Sequence, residues 1–84
     1  MNRIPLPSRD TILSIFNYEN GWGFLIKKKN GRMAEETIKI NKQGFGVGRV
    51  IYFLETGEQP ENLKRIDGNY RNNKFDNLTP ITEQ

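Results

Sequence analysis

With 84 residues, of which 35% are hydrophobic, the chain is long enough for one small core, and such a core supports a stability of about 5 kcal/mol. It contains no cysteine and no histidine, which excludes a disulfide framework and a thiolate metal site and removes the commonest general base and zinc ligand. Lys and Arg number 13 against 10 Asp and Glu, and the resulting net charge of +3 is too mild to drive strong non-specific binding to nucleic acid by itself.

In chain order, Pro5 and Pro7 frame an extended lead-in, because each proline disfavours helix in the residue before it. Ser8 is a candidate N-cap, and Ile12, Leu13, Ile15 and Phe16 give an apolar side to a short helix from Arg9 to Phe16. Residues 17–21 are turn-forming. Trp22 to Lys29 reads as a strand with Trp22, Phe24 and Ile26 on one face, and Asn30-Gly31 is a two-residue hairpin signal leading to a second strand marked by Thr37, Ile38 and Ile40. Gly44, Gly46 and Gly48 make the next stretch too flexible for a regular element, apart from a brief third strand at Phe45 and Val47.

From Arg49 to Thr56 the apolar residues Val50, Ile51, Phe53 and Leu54 suit a helix capped by Gly57, although the β-branched and aromatic start keeps strand open on propensity. Two short strands follow, Leu63 to Ile66 and Leu78 to Thr82, joined by a loop from Asp67 to Asn77. The expected architecture is α+β and a single domain over residues 1–84: a small antiparallel sheet, two short helices and a terminal two-stranded ribbon. Trp22, Phe24, Ile26, Ile38, Ile40, Val50, Phe53, Leu54, Ile66 and Leu78 are the expected core. No apolar run approaches the roughly 18 residues that span a bilayer, and no signal-peptide core follows Met1, so a soluble, cytoplasmic chain is expected.

Basic residues fall in two clusters, Lys27, Lys28, Lys29 and Arg32, and Lys64, Arg65, Arg71 and Lys74. The acids gather elsewhere, at Glu35 and Glu36, at Glu55, Glu58 and Glu61, and toward the C-terminal end. A domain divided this way suits phosphates or an acidic or mixed protein surface, while Lys27 to Lys29 read equally well as the solvated end of a hairpin. Between the last two strands, Asp67, Gly68, Asn69, Asn72 and Asn73 tolerate left-handed backbone and bond their own chain two residues on, which predicts a compact, self-bonded loop. Asp67, Gly68, Asn73 and Asn77 are then structural, with Asn69, Tyr70, Arg71 and Lys74 free to point outward.

The segment from Asn62 to Thr82 resembles the core of an HNH (ββα-metal) endonuclease of the phage or homing type, whose run has the form Asp-His-Ile-Asn/Asp-Gly-Asn-x-x-Asp-Asn-Arg-x-x-Asn-Leu-x-x-x-Thr. Ile66, Asp67, Gly68, Asn69, Asn72, Asn73, Lys74, Asn77, Leu78 and Thr82 fall in the same spacing. Arg49 to Pro60 is similar to the segment that precedes this core in phage members, with Gly48 in place of a histidine, and the likeness reaches back to about residue 10. The resemblance favours helix for Arg49 to Thr56 and implies a ribbon that lacks the family's final metal-binding helix.

What the resemblance implies about chemistry is a loss. Lys64 and Arg65 stand where the family has its metal-binding Asp and general-base His, and the remaining metal ligand would fall past Gln84. A lysine repels a divalent cation, and a guanidinium stays protonated at neutral pH, so neither metal-assisted hydrolysis nor water activation is expected, and no metal or cofactor is implied. The expected protein is therefore not an enzyme. It is a non-catalytic HNH-like product of phage or mobile-element type that binds a nucleic-acid-handling complex, as an inhibitor of host defence of the anti-CRISPR or anti-restriction kind. The alternatives are an accessory protein that binds nucleic acid directly and, least favoured, a metal-dependent nuclease. The binding candidates are Arg49, Lys64, Arg65, Asn69, Tyr70, Arg71 and Lys74, with Lys27, Lys28, Lys29 and Arg32 as a secondary basic patch and Trp22 as an aromatic anchor.

Overall fold

Residues 6–60, 62–69 and 71–81 are described by the computed structural model, so the expectations for Pro5, Tyr70 and Thr82 lie outside the described residues. The fold is α+β, and the described residues form two α-helices and seven short strands in three separate antiparallel sheets rather than one. Ser8 is extended and its hydroxyl accepts from the Thr11 N–H at 3.2 Å, which fixes the start of helix α1 (Arg9–Ile15). The chain leaves α1 directly into β1 (Phe16–Asn17), which pairs with β2 (Leu25–Lys27), and β2 pairs in turn with β3 (Met33–Ala34).

The β2 strand corrects the expectation for Trp22 to Lys29. Only residues 25–27 are strand, and Leu25 is the fully buried one, whereas Trp22, Phe24 and Ile26 are half-buried. Side chains alternate along a strand, so a one-residue change of phase exchanges the inner and outer sets. The Asn30-Gly31 turn is present, but it joins β2 to β3 rather than to the strand at Thr37. The Lys27 N–H donates to the Arg32 carbonyl at 2.8 Å and the Gly31 N–H donates to the Lys27 carbonyl at 2.7 Å, closing a loop over residues 28–31. Within it, Asn30 Oδ1 accepts from the Arg32 N–H at 3.0 Å.

β4 (Thr37–Ile40) pairs forward with β5 (Gln43–Gly46), which contains the brief strand expected at Phe45 but ends before Val47, the first residue of the next helix. Ile40 faces Gln43 across Asn41 and Lys42, both at positive φ (53° and 68°), the conformation of the tight primed turn that matches strand twist. Asn41 adopts this readily, but Lys42 carries no signal for it, so the hairpin is hard to see in the sequence. Helix α2 (Val47–Thr56) follows without a linker and starts ahead of the expected Arg49. The Val47 N–H, one of the donors a helix start leaves over, reaches the Glu36 carbonyl at 2.9 Å. Gly57, at φ 81°, ends the helix by returning its N–H to the Phe53 carbonyl at 2.7 Å. The chain closes with β6 (Leu63–Arg65), a 3₁₀ turn (Phe75–Asn77) and β7 (Leu78–Pro80), which pairs antiparallel with β6.

The core gathers Ile12 of α1, Phe16 of β1, Leu25, Ile38, Ile40, Phe45 and Leu78 around the face of α2 that carries Val47, Val50, Ile51 and Leu54, with Leu6 at its margin. Phe53 packs against this cluster only in part, and Ile66 is 64% exposed, contrary to expectation. Ile66 lies past the last β6 residue, where its N–H pairs with the Asn77 carbonyl at 2.9 Å and the ribbon has already left the core. Two polar ties reach across the fold. The Tyr18 hydroxyl donates to the Glu55 carboxylate at 2.5 Å, and the Leu6 N–H donates to Gln59 Oε1 at 2.8 Å. Burial, then the bond to Glu55, raises the Tyr18 pKa well above the usual phenol range. Among the described residues, no helix is long and apolar enough to cross a membrane.

The packing gives a direct comparison. Leu25→Ala, at a fully buried position, should destabilise by about 2–5 kcal/mol, and Ile66→Ala, at an exposed one, by less than about 0.5 kcal/mol. Urea midpoints of the two variants check this; similar losses would put Ile66 in the core.

Candidate functional site

The loop between β6 and β7 is built on Asp67. Its carboxylate accepts from the Asn69 N–H at 2.7 Å, Asn72 Nδ2 at 2.9 Å and Asn77 Nδ2 at 3.1 Å, while its own N–H donates to Asn77 Oδ1 at 3.0 Å. These bonds, the Asn72 side chain's first, hold the Asp67 carboxyl below the ordinary carboxylate range although the residue is exposed. Asn69 and Asn72 repeat the local turn, their Oδ1 atoms accepting from the N–H groups of Arg71 (3.1 Å) and Lys74 (3.3 Å). Asn69 is exposed, but its side chain is engaged with its own loop, which corrects the expectation that it is free.

Asn73 lies at the centre of the site and is the one buried polar residue among those described, at 2% exposure. Its Nδ2 donates to the Glu35 carbonyl at 2.6 Å, in the bend between β3 and β4. Its Oδ1 accepts from the Arg65 guanidinium, so Arg65 points inward and Lys64, its neighbour on the strand, points to solvent. Gly48, in the first turn of α2, leaves the room this needs: a Cβ there would lie 2.6 Å from Arg65 Nη2 and 2.9 Å from Asn73 Oδ1. Arg65 Nε is buried without a hydrogen-bond partner although the residue as a whole is half-buried, so part of the guanidinium is committed to the interior. The bond to Asn73 gives Arg65 an internal role beside the surface contact expected of it. At these two positions an ammonium and a guanidinium offer no lone pair to a metal ion, and no group of three His, Cys, Asp or Glu among the described residues is placed to hold one.

The remaining candidates separate. Arg49, half-buried, donates from Nε to the Pro60 carbonyl at 3.3 Å and so braces the segment after α2. Arg71 is exposed and pairs with Glu36 at 3.7 Å, an exposed ion pair that contributes little to stability. Arg71 and Lys74 line a groove of about 430 Å³ with Trp22, Phe24, Glu35 and Asn72. Its aromatic wall is a stack: Trp22 lies over Phe24 with ring centroids 4.9 Å apart and planes at 19°, and Tyr18 meets Trp22 edge-on at 6.5 Å. Gly23 lets the loop close on this wall, since a Cβ there would stand 3.2 Å from the Lys74 backbone nitrogen.

Lys27, Lys28, Lys29 and Arg32 are exposed around the β2–β3 turn, and none of them lines the groove that Arg71 and Lys74 share. Two residues of consequence had no sequence signal. Glu35 lines the aromatic groove, and Lys39 faces out of β4 between the buried Ile38 and Ile40. Strand alternation places Lys39 at the surface, but only the tertiary fold shows what stands beside it. Comparison of the chain with family models, curated proteins and solved structures gives no match.

Two tests follow from the Asn73 cluster and the Asp67 loop. Gly48→Ala should lower stability by about 1–3 kcal/mol by crowding a fixed amide, outweighing a gain of up to about 1 kcal/mol from alanine's helix propensity; a higher melting temperature would show that the Arg65–Asn73 pair yields easily. Because folding lowers the Asp67 pKa, its contribution is complete at neutral pH and fades as pH falls below the ordinary value of 3.8. Asp67→Asn should therefore be less stable than the parent at pH 7, with the gap closing on acidification. Denaturant melts at several pH values measure this, and a gap that is independent of pH would contradict it.

Proposed function

We propose that this chain is a non-catalytic, HNH-like binding protein that docks on a nucleic-acid-handling complex of a host and obstructs it, as an inhibitor of host defence does. The observation that supports the reading best is the aromatic groove. Trp22, stacked on Phe24, shares the lining of this groove with Arg71, Lys74 and Glu35. A half-buried tryptophan beside an exposed arginine, with charges of both signs at the rim, has the residue make-up of a protein-contact anchor. The interior use of Arg65 supports the non-catalytic part. The residue at the position of the family's base is spent on joining β6 to the Asn73 loop.

Direct nucleic-acid binding is the second reading, favoured by the exposed cations Lys27, Lys28, Lys29 and Arg32. The two readings respond differently to salt. A specific protein contact through the groove survives moderate salt, whereas a backbone contact weakens steeply as counterions compete.

Affinity capture from host lysate, with and without nuclease treatment, tests the first reading. Capture of one protein partner should persist after nuclease digestion. Arg71→Ala with Lys74→Ala should weaken it by about 2–5 kcal/mol while leaving the fold intact, because both side chains are exposed. Arg65 is unsuitable for this experiment, since its loss would disturb folding and binding together. Undiminished capture by the double variant would place the contact elsewhere.

A further inference from the structure

The β2–β3 turn and β4 create a second groove, of about 340 Å³, whose charge is all of one sign. Lys27 enters it from the end of β2, Arg32 from the turn and Lys39 from the middle of β4, and no Asp or Glu lines it. Asn30 and Thr37 add neutral hydrogen-bonding groups, and Phe16 and Ile38 lie at its base. None of the three cations forms an ion pair with a carboxylate among the described residues; the pair that does form, Arg71–Glu36, involves none of them. Three like charges gathered in one concave surface repel one another unless an anion enters, and the walls of a cleft focus their field on whatever does. Lys28 and Lys29, exposed on the adjoining turn, extend the same potential beyond the rim.

We propose that this groove is a site for the phosphodiester backbone of nucleic acid, a deepening of the second functional reading on which it rests. Cations drawn from separate elements and spread along a groove match a linear array of phosphates better than a single anion. The concave shape admits a strand or the ridge of a duplex, whereas a flat bilayer surface would meet only its rim. Lysines supply point charges to phosphate oxygens, and Arg32 adds a planar fork able to donate two parallel bonds. Asn30 is bound to the Arg32 N–H, which sets the turn and limits where the Arg32 side chain begins. The contact reads phosphate rather than base edges and is therefore indifferent to sequence. On this assignment the two grooves divide the work: the aromatic one holds protein and the basic one tracks nucleic acid in the same complex.

The test uses the intact protein and fluorescently labelled duplex DNA of two unrelated sequences at low and moderate salt. The parent should bind both duplexes alike, with log K falling against log salt at a slope of about −2 to −3, as expected when roughly three phosphates are neutralised. Lys27→Gln with Arg32→Gln and Lys39→Gln should reduce affinity at least about tenfold at low salt and flatten that slope. Arg9→Gln, an exposed cation outside the lining of the groove, should change neither, and nuclease-resistant capture of a protein partner should be unaffected by the triple variant. Parent protein that fails to bind DNA even at low salt would overturn both the site and the second reading. A triple variant with the parent's affinity and slope would overturn the site alone. Equal binding of the parent to anionic lipid vesicles, abolished by the same three changes, would assign the groove to a membrane headgroup surface and also overturn the proposal. The slope measured on the parent stands even if the triple variant folds poorly.

Discussion

One buried amide holds parts of this protein that no continuous sheet connects. Asn73 donates to the backbone at Glu35 and accepts from Arg65, so the bend between β3 and β4, the ribbon strand β6 and the first turn of α2 meet at one side chain. Its use of both amide ends explains why it can be fully buried: an asparagine left half-satisfied there would cost about 1–3 kcal/mol. The arrangement also places a guanidinium against the start of α2, where the helix dipole disfavours positive charge, and the carbonyl oxygen of Asn73 offsets that repulsion. Gly48 is the steric condition for all of it.

This cluster bears on how far the sequence could be read. The ribbon was legible because Leu63 to Arg65 and Leu78 to Pro80 flank a loop whose asparagines and Asp67 can bond only to their own chain. The helix ending at Gly57 was legible because a left-handed glycine after an apolar stretch leaves few alternatives. The face of β2 was not: Trp22, Phe24 and Ile26 are as apolar as Leu25, and the choice between phases is made by packing against α1 and α2. β5 was legible only as a brief strand at Phe45, because its glycines and Lys42 in a left-handed turn obscure its extent and its pairing with β4. At the site, Lys64 and Arg65 were visible as neighbours of opposite direction on a strand. Which of them turned inward depended on Asn73, Glu35 and Gly48, brought together from three other parts of the chain.

The two grooves differ in how their charges are balanced, and this separates their chemistry. In the aromatic groove Arg71 and Lys74 are joined by Glu35, while Glu36 pairs with Arg71, so the local charge is close to neutral and the Trp22–Phe24 stack is the dominant feature of the surface. In the basic groove Lys27, Arg32 and Lys39 have no such balance. A net charge of +3 therefore understates one surface and overstates the other. Exposure of positive charge, rather than its total, is what an anionic partner encounters.

The pattern of pairing has a kinetic side. Every strand pairs with the strand before or after it in sequence, so each hairpin closes a short loop and can form early in folding. Hairpins this short are marginal alone. The bonds that combine them span much more chain: 38 residues for Asn73 to Glu35, 37 for Tyr18 to Glu55 and 53 for Leu6 to Gln59. Loops of that length cost more chain entropy to close than the hairpin turns do, although the cost rises only slowly with length. A contact absent from the transition state speeds unfolding when it is lost more than it slows folding. These polar bonds act beside the apolar core as ties between hairpins that lie far apart along the chain.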